Sequence, residues 1–598
     1  MTKAKSDRLC RGALLVALAV SLTSILRAQQ IPTNPTPSCV VTPAMFASWF
    51  QSGTPAVNGV VNPANSVTFP NTGNCSFYQW SEQMFLWLTS PAPSQYGGNG
   101  RVFDSPVFYD VSAADANGNR SFLPHVPGQL RFFNIRTSQA GPHGLPVIFD
   151  RTGRMLEVER PQVAPSGRPL IRNSAGSLVE VGRVTLGANR RPTFVDPAGR
   201  PIAPQMAPRT TAAAARTQKN PLTVQRFLVG GLPIFVDPFG NVLDVEEGQA
   251  GGGGALLAQN GSLIYYTTIV NDVYAYFLTG AKTGGITPAP TQFPTTQANL
   301  NQVTTYAGQF GVTFPDANAL AIEVKAAWIE TANLPNAGNY ITTTATIPTY
   351  DKSNPNQWVP NGQTSAQLAM VGMHVVGSAA GHPEMIWATF EHVGNTPFAT
   401  YQYINTSNQT ITVNQNTAGT WLFSANGAAA PFNPEIAQAA CGNINGVPPS
   451  ISTCPAPPPT VKIVPGNAIR WKAWGASFDK SPNPLDASAA ASNSEVISIH
   501  NTVTVPGGDI RNNYFMTGAT WTIAGAAPTG QFNVVAGGNE VGTSFLANST
   551  METFQQGTSN TSGSGTNCFS CHTTNTTSVS HVYGALLPLT PGQLRSPR

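Results

Sequence analysis

Five residues near the end of the chain, Cys568-Phe569-Ser570-Cys571-His572, have the types and the spacing for covalent tetrapyrrole chemistry. In a C-x-x-C-H motif two thiols add across the porphyrin vinyl groups, and the adjacent imidazole takes one axial face of the iron. Two intervening residues let both sulfurs reach neighbouring vinyls while the imidazole swings under the ring. A C-x-x-C pair also serves as a redox dithiol or as half of a zinc site. Zinc wants a second ligand pair, and the sequence holds no other C-x-x-C and no H-x-x-x-H. The reading is one covalently bound haem c, with Cys568 and Cys571 as thioether anchors and His572 as the proximal iron ligand.

The sixth ligand decides what such an iron does. A second strong protein ligand makes an electron carrier, whereas an open or water-filled position binds oxygen, peroxide or another small molecule. No methionine follows His572, unlike the usual small cytochrome arrangement. The candidates are His581, Met551 and a histidine of the upstream body (His374, His382, His392 or His500), or an open site. His374, His382, Glu391 and His392 fall in one stretch. On a regular strand Trp387, Thr389 and Glu391 share one face and Ile386, Ala388, Phe390 and His392 the other, so Glu391 and His392 cannot hold one metal.

The N-terminus fits export. Lys3, Lys5, Arg8 and Arg11 precede an apolar run from Ala13 to Leu26, which reads as a signal peptide over residues 1–28 and is short for a membrane span. An uncleaved anchor is the alternative, because Leu26 stands where a small residue is usual. The expected location is periplasmic or extracellular, with no transmembrane segment in the mature chain. The formal charge of +4 resides in this leader, and the remainder carries 27 basic and 27 acidic residues, which gives no footprint for nucleic acid. Charged residues make up 10% and hydrophobic ones 41%, which points to a loop-rich and strand-rich globular protein. Four cysteines remain, and the local pairings Cys39 with Cys75 and Cys441 with Cys454 are expected in an oxidising compartment. The second would close a Pro/Gly-rich loop, worth about 3 kcal/mol; four buried thiols are the alternative.

Helical spacing of apolar residues predicts helices over Pro43 to Phe50, Phe77 to Leu88, Leu263 to Leu278 and Gln297 to Phe310. From Leu145 a repeat recurs. Val147-Ile148-Phe149-Asp150, Leu170-Ile171-Arg172-Asn173, Thr193-Phe194-Val195-Asp196 and Ile234-Phe235-Val236-Asp237 are each followed three residues later by Gly153, Gly176, Gly199 or Gly240. Each unit reads as strand, Asx-closed turn and strand, giving a β-hairpin insertion, either a plain surface element or a binding platform. Strands are expected at Ile322 to Trp328, Met370 to Val376, Met385 to Val393, Val461 to Val464, Val496 to Val505 and Trp521 to Ile523. The expected fold is mainly β with some helices (α+β). Its parts are a helical and loop region over 29–144, the hairpin insertion over 145–250, a β-sandwich-like body over 255–555 and a haem-attachment tail over 556–598. With 26 residues after His572, that body has to build most of the haem pocket.

Trp387-Ala388-Thr389-Phe390-Glu391-His392-Val393, and Leu546-Ala547-Asn548-Ser549-Thr550-Met551-Glu552-Thr553-Phe554 ahead of the haem motif, resemble secreted bacterial proteins of the cytochrome c family that carry one C-terminal CxxCH. The resemblance covers the second half of the chain and implies haem and export, with no substrate. The expected function is an exported mono-haem c-type protein that exchanges electrons with a redox partner protein or a small-molecule donor or acceptor. A secreted oxidase- or peroxidase-like haem enzyme is the alternative, as is a surface binding protein whose haem is accessory.

Overall fold

The computed structural model describes residues between 31 and 594, with gaps of which the longer are 204–221, 247–255, 426–442, 445–464, 475–486 and 552–567. The leader, Cys441, Cys454, Cys571 and the strand expected at Val461 to Val464 lie outside the described residues. Among the described residues no helix is long and apolar enough to cross a membrane.

The chain is mainly β, organised on one 12-stranded sheet. In chain order its strands are β1 (Phe108–Val111), β2 (Phe122–Pro124), β3 (Arg131–Phe132), β4 (Asn134–Ile135), β5 (Tyr265–Asn271), β6 (Ile322–Glu330), β7 (Thr342–Asp351), β8 (Gln357–Ala379), β9 (His382–His392), β10 (Asn443–Ile444), β11 (Tyr514–Thr522) and β12 (Glu540–Gly542). The spatial order β2-β1-β5-β6-β8-β9-β11-β12 is antiparallel throughout. Among the described residues the α-helices are α1 (Pro43–Trp49), α2 (Asn74–Thr89), α3 (Asp272–Thr283), α4 (Gln297–Gly308), α5 (Ala487–Thr502) and α6 (Pro591–Leu594). A β-sandwich is not confirmed, because α2 and α5 pack against one face of this sheet and α3 and the C-terminal tail cover part of the other.

The aromatic stripe of α2 forms the first of these layers. Phe77 stacks on Trp521 of β11 at 3.9 Å and Phe85 on Phe390 of β9 at 4.3 Å, each pair worth about 0.5–1.5 kcal/mol beyond the area it buries. Close approach needs Gly377 on β8, where a Cβ would fall 2.4 Å from Ile322 and 2.9 Å from Trp80. The expected disulfide Cys39–Cys75 is present and ties the segment before α1 to the first turn of α2.

Two expectations fail at helix boundaries. The helix expected from Leu263 begins only at Asp272, because Tyr265–Asn271 is a strand whose aromatic and β-branched residues suit a pleated surface. Asn271 then caps α3, its side chain accepting from the Tyr274 amide at 3.1 Å. The strand expected at Val496 to Val505 is largely helix α5. An alanine-rich start favours helix there, and Val496, Ile497 and Ile499 are buried in the core below α2.

Each of the four strand pairs that the repeat predicts is present, and the turns at Asn173 and Asp196 lie among the described residues. Hairpins pair Pro146–Asp150 with Met155–Glu159, Leu170–Arg172 with Leu178–Glu180, Pro192–Val195 with Pro201–Ile202, and Leu232–Val236 with Val242–Leu243. In the second, Asn173 Oδ1 accepts from the Ala175 and Ser177 amides at 3.1 and 2.9 Å while Gly176 takes a φ of 80°.

Candidate functional site

His572 lies one helical turn beyond Cys568, its amide donating to the Cys568 carbonyl at 3.0 Å. That turn sets the two side chains on one side of the backbone. Cys568 is half-buried and packs against an apolar cluster that contains Phe569, Val579, Val582 and Trp387. The His572 ring is buried, and its Nδ1–H donates to the Val579 carbonyl at 2.5 Å. This fixes the tautomer and leaves Nε2 with its lone pair, the form in which an imidazole binds metal.

The sheet supplies the surface under that ring. Trp387 on β9 lies against the His572 ring at 4.0 Å and contacts Phe569 edge-on at 6.2 Å. Its indole N–H donates to the Glu384 carbonyl at 2.9 Å, which fixes its plane. Strand pairing places Trp387 opposite Val376 and Thr389 opposite His374, so His374 and Trp387 are diagonal neighbours on one face, a separation of about 7–8 Å. His374 Nδ1 shares a 2.6 Å hydrogen bond with Thr389 Oγ1.

The tail is held by side chains of the body. Ser580 Oγ donates to Glu323 Oε2 on β6 at 2.6 Å and hydrogen-bonds the Tyr274 hydroxyl of α3 at 2.7 Å. Lys282 Nζ donates to the Tyr583, Gly584 and Leu586 carbonyls at 2.7, 3.1 and 2.6 Å. Asn575 Nδ2 donates to the Gly525 carbonyl at 3.2 Å.

The sequence-derived sixth-ligand candidates separate by location. His581 stacks on His572 at 3.8 Å with planes 16° apart. Stacked rings present faces to each other, so this arrangement does not direct a nitrogen lone pair of each ring at one atom. His374 shares the sheet face of Trp387. Met551 is buried in a different cluster, with Tyr266, Ala327 and Val371. His392 lies five residues from Trp387, roughly 17 Å along the strand and on the opposite face. It stacks on Tyr340 at 3.7 Å, its Nδ1 accepts from the Gly394 amide, and burial pushes its pKa down to about 3. His382 is enclosed between Glu384 and Asn71, and His500 sits at the end of α5 with its pKa pushed down to about 4 by burial. Among the described residues no three His, Cys, Asp or Glu side chains gather as a metal-binding group.

The two phrases that carry the family resemblance meet in space. Asn548 Nδ2 donates to Thr389 Oγ1 and the Phe390 carbonyl at 3.2 and 3.1 Å, and the Ser549 amide donates to Glu391 Oε1 at 2.8 Å. Glu391 also pairs with the buried Arg470. Sequence reading did not find Trp387 as a partner of the motif, nor the Val579 carbonyl. Comparison with family models, curated proteins and solved structures gave no match to this chain.

Proposed function

We propose that the chain carries one haem c on Cys568 and Cys571, with His572 as proximal ligand, and that it exchanges electrons outside the cytoplasm. The observation that carries this reading is the His572 tautomer within C-x-x-C-H. The Val579 carbonyl accepts from Nδ1–H in a water-poor apolar setting, so Nε2 is the ring atom that carries the lone pair an iron would take. Bound haem supplies a one-electron couple. The chain contributes a buried proximal imidazole, the Trp387 indole that sets its orientation, and an apolar wall of Phe569, Val579 and Val582 that excludes water. Of the candidates for the sixth position His581 is the first choice, as the one nearest His572, and it would have to leave its stacked position to ligate; His374, on the sheet face of Trp387, is the second choice. The Cys39–Cys75 disulfide supports an oxidising compartment, periplasmic or extracellular.

Peptide mass spectrometry of protein exported from a haem-c-competent bacterium should find a tetrapyrrole on the peptide that holds Cys568 and Cys571. Unmodified cysteines there would overturn the proposal. Electron-paramagnetic spectra of the ferric protein should be low-spin, with no carbon monoxide uptake after reduction, and His581→Ala should convert them to high-spin. High-spin iron that binds carbon monoxide in the unaltered protein would instead favour a haem enzyme.

A further inference from the structure

A second site lies on the other side of the sheet. A cavity of about 200 Å³ opens between α2, α5 and the segment 503–514, walled by Phe85, Val503 and Tyr514 with Glu82, His500 and Arg511 among them. Glu82 is 5% exposed and its Oε1 has no hydrogen-bond partner. It is the one charged residue type in the sixteen residues of α2. An acid placed in an aromatic helix face without a partner costs stability and calls for a ligand to explain it.

We propose that this cavity binds a small primary amine as its ammonium ion, with the Glu82 carboxylate as counter-ion. The other polar groups of the wall permit this. Arg511 donates from Nε and Nη2 to Asp509 at 2.9 and 2.6 Å, so its charge is already matched. Nη1 of the same side chain donates to the Leu86 carbonyl at 3.2 Å. Burial keeps His500 neutral, with a pKa of about 4, so the ring accepts from an N–H without repelling it. The Tyr514 phenol is held un-ionised by burial, and Phe85 and Tyr514 give the wall two aromatic rings, the residue type that favours a cation beside it. Arg101 influences Arg511 electrostatically but is not part of the wall. Glu82 itself, pushed up to about 8 by burial alone, is protonated at neutral pH until a cation arrives. On binding, the carboxylic acid releases its proton to the buffer and the ammonium N–H groups donate to the resulting carboxylate.

The test is calorimetric titration of the exported full-length protein with n-butylammonium chloride, and with n-butanol as the uncharged analogue. In buffers of different ionisation enthalpy, butylammonium binding near pH 7 should release about one proton, as a carboxyl pKa near 8 requires. Its Kd should fall by about tenfold per pH unit up to that pKa, and should be at least ~10-fold lower than that of butanol. Glu82→Gln should abolish the preference and leave butanol binding unchanged. Equal affinity for the two probes, no binding of butylammonium, or binding without proton release would overturn the proposal. The proton count is read on the unaltered protein and stands whether or not the variant folds.

Discussion

Glu82 and His392 pull the stability of the fold in opposite directions as pH changes. The folded state holds the Glu82 proton up to a pKa of about 8, whereas an unfolded glutamate releases it near its ordinary 4.5. The folded state therefore binds the extra proton between these values, and stability falls as pH rises through that window. His392 is the converse case: its folded pKa is pushed down to about 3, so its contribution is complete above the ordinary 6.5 and is lost as pH falls below it. The two overlap between pH 4.5 and 6.5, and the variant Glu82→Gln separates them. Urea unfolding should show its advantage over the unaltered protein growing from nearly nothing at pH 4.5 to on the order of 4 kcal/mol at pH 8. A constant difference across that range would remove the buried-acid account. The Glu391–Arg470 pair, 1% and 2% exposed at the side chains, invites a second measurement. Arg470→Met should cost about 3–5 kcal/mol because it strands a buried carboxylate. Adding Glu391→Gln should recover part of that loss.

The elements that hold the tail are α3 and the sheet face beside it. Lys282, in the last turn of α3, donates to three tail carbonyls and lies 5.1 Å from the Tyr583 ring centre. Lys282 is exposed, so solvent screening reduces the three bonds to about 1–2 kcal/mol together. Lys282→Met should therefore speed amide exchange at Leu586, whose N–H bonds the Val582 carbonyl, ~10-fold, while amides of β8 and β9 keep their protection. Equal protection at Leu586 would show that apolar packing alone fixes the tail. Elements of this sort differ in how openly the sequence announces them. The Asx turns at Asn173 and Asp196 are local, and their residue types carry the geometry, so the hairpins were readable. Helix α2 was readable because its aromatic stripe is both periodic and buried. Helix α5 was not, since Val496, Ile497 and Ile499 favour strands and mask the helix preference of the alanine-rich start, which burial of these three in the core then completes. The C-x-x-C-H motif stood out by spacing alone. Its neighbour Trp387 lies 185 residues earlier in sequence, and Val579 acts through a backbone carbonyl that no residue type marks. Glu82 did leave a signal, a lone acid inside an apolar helix, that only the cavity makes meaningful.

At the scale of the molecule, the 12-stranded sheet is built from segments on either side of the hairpin insertion. The chain leaves the sheet at Ile135 on β4 and re-enters at Tyr265 on β5, and these two residues are direct cross-strand partners. The hairpin strands pair among themselves in sheets of seven, three and two strands rather than with the large sheet. An excursion that starts and ends at one place on a finished sheet adds loop-closure cost and little else. That cost grows only with the logarithm of length, by about 0.6 kcal/mol per doubling. Replacing residues 140–250 with a Gly/Ser loop of about eight residues shortens the excursion between Ile135 and Tyr265 by a little over two doublings, a gain on the order of 1 kcal/mol from closure. The proposed haem site and the Glu82 cavity draw on residues outside the excised stretch. The shortened chain should therefore unfold in one transition within a few degrees of the full protein and attach tetrapyrrole to the same extent. If it fails to fold, or folds and loses the tetrapyrrole, the insertion is part of the scaffold. If it folds and loses only a surface interaction, the hairpin array is the part of this molecule that meets a partner.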